Sequence, residues 1–152
     1  MSRSPRHSPD DQLEFVLHTV SRSLARSYNE EFRKLGLSQS QAGVLLQVDW
    51  ADARTQTEIA RRMGIQKAAA GALIIDLEER GMLRRQRSAK DARMIEVTLT
   101  ASGRRKVKQI NDFVASLGPL VRNGIEDAEM RQALDVLLRV RANVEAMDTP
   151  EA

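Results

Sequence analysis

TQTEIARRMGIQKAAAGALIIDLEERGMLRRQRSAKDARMIEVTLTASG, residues Thr55 to Gly103, decides the fold of this 152-residue chain. It divides into a short helix (Gln56 to Met63), a tight turn (Gly64-Ile65), a second helix (Gln66 to Arg80) and a two-stranded basic hairpin (Met82 to Leu99). Thr55 and Glu58 stand three apart, the spacing of a capping box, in which the hydroxyl takes an orphan N–H and the carboxylate reaches back. Ile59, Ala60 and Met63 give the first helix one apolar face. Gly64 suits the left-handed conformation that stops a helix, so the chain turns at once and Ile65 enters the core. Ala70, Leu73, Ile74 and Leu77 recur at helical spacing and turn the second helix inward. Gln66, Lys67, Ala68, Ala69, Gly71 and Ala72 are left on or near its outer face, in the half that a recognition helix pushes into the major groove of DNA.

The hairpin is the second signal. Ile95, Val97 and Leu99 alternate with Met94, Glu96 and Thr98, the period of a half-buried strand. Met82 to Arg87 is its partner, and Ser88-Ala89-Lys90-Asp91-Ala92 is a small, polar tip. From Arg80 to Lys108 ten basic residues stand against two acidic ones, a charge of +8 in a chain whose total is +3, so the remainder carries −5. Such a block is an electrostatic footprint for a polyanion. A run of charge is ordinarily a solvated face; here it coincides with a hairpin beside a recognition helix. Arg84, Arg85 and Thr55 are the expected phosphate contacts, and Arg87, Lys90, Asp91 and Arg93 belong to the wing. The expected fold is mainly α with a small β-hairpin wing: a winged helix-turn-helix.

Asp91, Arg93, Leu99, Thr100 and Gly103 fit the D-x-R-x5-L-T-x-x-G signature of MarR-type transcriptional regulators without a gap. Thr55-x-x-Glu58-Ile59-Ala60 and Leu77-Glu78-x-x-Gly81 also resemble that family, and the resemblance runs from about Leu13 to Val144. It implies an obligate homodimer with intertwined N- and C-terminal helices that binds a pseudo-palindromic operator in double-stranded DNA. By the same resemblance Arg93 enters the minor groove and Asp91 orients it. Two departures stand out. Gln66 and then Lys67-Ala68-Ala69-Ala70 occupy the start of the recognition helix, where the family often has Ser or Thr, and Ala92 replaces a frequently basic residue.

The flanks read as dimer machinery. Met1 to His7 is a basic tail expected to be disordered, and Ser8-Pro9-Asp10-Asp11 is a strong helix start. Leu13, Leu17, Val20, Leu24, Tyr28, Phe32 and Leu35 form a stripe that Phe15 and Val16 widen, more than one protomer needs. Gly36-Leu37 ends that helix. Ser38 and Gln41 open another, with Ala42, Val44, Leu45, Leu46 and Val48 mostly buried. After the wing, Thr100 caps a long helix that Gly118-Pro119 is expected to kink or break, and a last helix runs from about Asp127 to Met147. Residues 109–152 carry eight acids against four bases, so no DNA-facing stripe is expected there. The expected division is a tail (1–7), a dimerisation helix (8–37), a winged helix-turn-helix (38–103) and C-terminal dimerisation helices (104–152). A two-fold axis would set the recognition helices about one DNA turn, roughly 34 Å, apart.

Catalysis has no footing in these residues. The chain has two histidines and no cysteine, and no metalloprotease, P-loop, nucleophile-elbow or dinucleotide motif. No cofactor and no metal ion are expected. Aromatic residues make up 3%, too few for a single-strand stacking platform. No apolar run is long enough for a membrane span, so the expected location is the cytoplasm, with no membrane partner. By resemblance, an aromatic or anionic small molecule bound between the DNA-binding and dimer parts would weaken operator binding. His18, Tyr28 and Trp50 are the groups such a pocket would use, against a plainer reading of Tyr28 and Trp50 as core and of His18 as a partly buried surface residue. Two other functions fit the same residues: a non-specific architectural DNA binder, and a winged-helix module for protein contacts.

Overall fold

The computed structural model describes residues 12–51, 55–89 and 91–147. Its elements are α1 (Leu13–Lys34), α2 (Gln39–Asp49), α3 (Gln56–Met63), α4 (Lys67–Glu79), β1 (Leu83–Arg87), β2 (Ile95–Leu99), α5 (Ala101–Val121) and α6 (Asp127–Met147). They fall into two compact units, Met1–Asp112 and Phe113–Ala152. The mainly helical architecture with one antiparallel hairpin is the winged helix-turn-helix expected from the sequence.

The first unit is built around α2, which touches α1, α3, α4 and β2. Both capping boxes are formed. Ser38 Oγ accepts the N–H of Gln41 while the Gln41 side chain accepts the N–H of Ser38. Thr55 and Glu58 do the same for α3. Gly64 sits at φ 63°, the left-handed stop that lets α4 begin three residues later. Val44, Leu45 and Val48 of α2, Ile59 of α3, and Ala70, Ile74 and Leu77 of α4 are sealed from water. Each large apolar side chain buried in this way contributes about 1.5–3 kcal/mol against exposure.

The wing pairs Leu83 with Leu99, Arg85 with Val97 and Arg87 with Ile95. Leu83, Val97 and Leu99 close its inner face on the core. Thr100 then joins wing to α5. Its hydroxyl donates to the carbonyl of Gly81 at 2.7 Å and accepts the N–H of Gly103 at 3.1 Å, and its own N–H donates to the carbonyl of Met82. The C-terminal carbonyls of α1 are held by cations from two other elements: Arg80 donates to the carbonyl of Gly36, and Lys106 to that of Leu35 at 3.0 Å. Positive charge at a helix C-terminus also suits the macrodipole.

Several expectations are changed. Gly118-Pro119 does not end α5, which runs on to Val121; a proline this close to the end removes a single carbonyl's partner. Trp50 is not in the core: it is the residue flanking α2 and is 62% exposed. The expected start of the first helix at Ser8-Pro9 and the tail before it lie outside the described residues. Along α1, Phe32 is buried while Leu13, Phe15, Val16 and Val20 are exposed, so the neighbouring helices cover only its C-terminal end. In the second unit α6 buries no residue at all, and Leu134, Leu138, Val144 and Met147 stand in the open.

Candidate nucleic-acid interface

The outer face of α4 follows from what its inner face buries. With Ala70, Ile74 and Leu77 inside, Lys67, Ala68, Ala69 and Ala72 are exposed, and so is Gln66, the residue before the helix. Gly71, expected on the same surface, is half-buried and turned toward α3, where the Gln56 side chain lies against it. The residue that sequence reading passed over is Ile75. It is 43% exposed, one turn beyond Ala72 on the outer stripe. An isoleucine beside Ile74 reads as core in a sequence; only the helix phase, set by the buried residues, puts it outside.

Gln66, the residue before α4, makes no side-chain hydrogen bond to the first N–H groups of the helix. Gln56, at the first position of α3, reaches across to a carbonyl of the same turn. Its Nε2 donates to the carbonyl of Lys67 at 2.9 Å. Nothing in the sequence pattern singles out Gln56, because the contact exists only once the two helices cross.

The wing arginines divide into those tethered within the fold and those with no ion pair among the described residues. Arg85 is tied to Glu78 at the end of α4: its backbone N–H donates to Oε1 at 3.0 Å and its Nε to Oε2 at 2.7 Å. The Nη2 nitrogen also lies 2.7 Å from Oε2. That guanidinium fixes the wing to the recognition helix, a different task from the phosphate contact expected of it. Arg84 is exposed and donates from Nε to Thr98 Oγ1. Thr55 has its hydroxyl and its N–H engaged by Glu58. Arg87 and Arg93 are exposed and form no ion pair among the described residues. Asp91 acts on the backbone of the tip rather than on the Arg93 guanidinium. Its Oδ1 accepts the N–H of Arg93 at 2.9 Å and its carbonyl accepts the N–H of Met94. This is the side-chain turn that aspartate favours. Lys90 lies outside the described residues.

The Arg85 hydrogen bonds, first of all, hold the Glu78 carboxyl below its ordinary pKa. A depressed folded value means that the pair adds stability above the pKa of the unfolded glutamate and loses it as pH falls through the folded value. Urea midpoints of the wild type and Glu78→Gln are therefore expected to differ at neutral pH and to converge on acidification through the carboxylate range. A gap that stays constant with pH would show that the charge of Glu78 does not hold the wing.

The three groups considered for an effector stand in different surroundings. His18 is exposed on α1, Trp50 is exposed after α2, and Tyr28 stacks on Phe32 with ring centroids 5.7 Å apart. Among the described residues no group of three or more His, Asp or Glu side chains could hold a metal ion, and no helix is long and apolar enough to cross a membrane.

This arrangement is found in transcriptional regulators of known structure. A family model described as "MarR family" matches residues 35–94. An uncharacterised HTH-type transcriptional regulator of Bacillus subtilis, YdgJ, is 28% identical over 109 residues, 72% of this chain and 66% of that protein, so the match spans just under two thirds of the relative's length. The crystal structure of the transcriptional regulator PA3341 superposes with a TM-score of 0.82 at 31% identity, covering 89% of this chain and 99% of that one. The S. aureus MepR–DNA complex shares the fold, with a TM-score of 0.78 at 16% identity over 90% of this chain and 99% of that one.

Proposed function

The chain belongs to the MarR family, whose members are transcriptional regulators and not enzymes, and we propose that it is a homodimer binding a pseudo-palindromic operator in double-stranded DNA. One observation carries the reading. Arg87 and Arg93, exposed and without an ion pair among the described residues, project from a wing that Arg85 and Glu78 anchor to the recognition helix, and the exposed start of that helix carries Gln66 and Lys67.

The division of labour follows from the chemistry of each group. Arg84 and Arg87 bind phosphates and supply salt-dependent affinity. Gln66 reads an adenine edge and Lys67 a guanine edge. Ala68, Ala69 and Ala72 bring methyl groups and a close approach to the groove. Arg93 enters a narrow A·T-rich minor groove, drawn by its negative potential. The exposed apolar residues of α1 and α6 support the dimer, because α6 buries none of its own residues and open apolar surface of this extent marks an interaction site. A dimer seated on its operator acts most simply as a repressor in the cytoplasm. An effector would act by changing the distance between the two recognition helices, a coupling of about 1–3 kcal/mol.

The test is selection of a binding site from random duplex, followed by protection mapping and sedimentation. The expected result is a two-fold symmetric motif, bound by a dimer, with half-sites one turn apart and strong preference over random duplex. Equal affinity for both duplexes would assign the basic wing to non-specific architecture, and no DNA binding at low salt would leave a protein-contact module.

A further inference from the structure

The helix that has to be placed most accurately is the one without a cap. α2 and α3 each carry a complete capping box, whereas Gln66 gives α4 no side-chain hydrogen bond. Gln56 meets this first turn from outside. Its amide Nε2 donates to the carbonyl of Lys67 at 2.9 Å. In an α-helix that carbonyl also accepts the N–H four residues on, which is Gly71, so Gln56 uses its second lone pair. Access to it requires Gly71. A Cβ there would stand 2.7 Å from Nε2 and 3.2 Å from Cδ of Gln56, in the space the amide occupies.

Resting on the reading above, we propose that Gln56 is the positioning residue of the recognition helix. Its amide, lodged in the gap left by Gly71, holds the Lys67 peptide and so fixes where Lys67 and the exposed Ala68 and Ala69 meet the base edges. Two features converge here: a hydrogen bond between helices, and a glycine that opens the way to its acceptor. The effect is on discrimination rather than on folding. The partner is the far end of a flexible side chain, and alanine is a better helix former than glycine.

Gly71→Ala therefore separates positioning from structure. It is expected to keep or raise the thermal midpoint of the full chain while the affinity ratio between the selected operator and random duplex falls about tenfold, the size of one mismatched base pair. Gln56→Glu, which keeps the length but cannot donate from its carboxylate to a carbonyl, is expected to reduce the ratio equally. Gln56→Ala combined with Gly71→Ala is expected to be no worse than either alone, because both remove the same contact. Additive losses would mean that the alanine at 71 obstructs the DNA directly, and would overturn the inference. So would wild-type discrimination in Gln56→Glu. If the wild type itself prefers no sequence, the operator reading falls and takes this inference with it. If the wild type discriminates and the variants do so equally, only the inference falls.

Discussion

Gly103→Ala lowers the thermal midpoint by about 4–8 °C, a larger stability loss than an added methyl group at Gly71 would bring. Gly103 lies in the first turn of α5 and is buried. A Cβ there would overlap the carbonyl oxygen of Met82 and lie 3.0 Å from Cδ2 of Leu99. The obstacle is main chain, and that carbonyl already accepts the N–H of Thr100 at 3.0 Å, so it cannot withdraw without undoing the wing junction. Helix propensity alone would favour alanine by about 1 kcal/mol. Overpacking a tight contact costs about 1–3 kcal/mol, and more when backbone has to move, which leaves a net loss near 2 kcal/mol or above. A chain of this length shifts by about 2–4 °C per kcal/mol, which gives the figure above. Gly71→Ala serves as the internal comparison: the same change in a helix, but against a side chain that can swing aside. Equal midpoints for the two variants would mean that the Met82–Gly103 contact relaxes freely and does not hold wing and α5 together.

That glycine shows where the sequence was legible and where it was not. Its place in the signature was visible; its reason, the carbonyl of Met82 on the far side of the wing, required the fold. The features that could be read were local. Thr55 and Ser38 announce their capping boxes through spacing, Gly64 announces a stop, and Ile95-Val97-Leu99 announce a strand, because each depends on neighbours within a few residues. What could not be read depends on elements meeting. Arg85 looks like every other basic residue of the wing until β1 lies beside the end of α4 and Glu78 claims it. Trp50 reads as core by composition, yet it falls at the end of α2 and is left outside. Ile75 and Gln56 are ordinary residues in the sequence. Helix phase exposes the first, and helix crossing gives the second its acceptor. The candidate site was therefore legible as a patch, but not as a division between arginines that hold the wing and arginines left for DNA.

Arg93→Ala is the variant expected to cost most in binding. The residue is exposed, has no ion pair among the described residues, and is carried by a tip whose backbone Asp91 fixes. Truncation therefore leaves the fold and the dimer in place. An arginine in a narrow minor groove is stabilised by the focused phosphate potential rather than by base identity. Its loss should weaken operator binding by about 1–3 kcal/mol, roughly ten- to a hundredfold. The dependence of log affinity on log salt should become shallower by about one phosphate contact. Selected operators should also lose their A·T preference at the wing-contacted steps while keeping the pattern read by Gln66 and Lys67. Asp91→Ala tests the same geometry from the other side. It keeps the arginine but releases the turn, so affinity should fall while the salt slope holds, because the charge still reaches the duplex from a less ordered tip. Asp91→Asn retains the side-chain oxygen that accepts the Arg93 N–H and should bind nearly as the wild type does. Unchanged affinity and slope in Arg93→Ala at about 0.15 M salt, where exposed charges beyond about 8 Å are screened, would remove the wing tip from the interface and leave the recognition helix alone to grip the DNA.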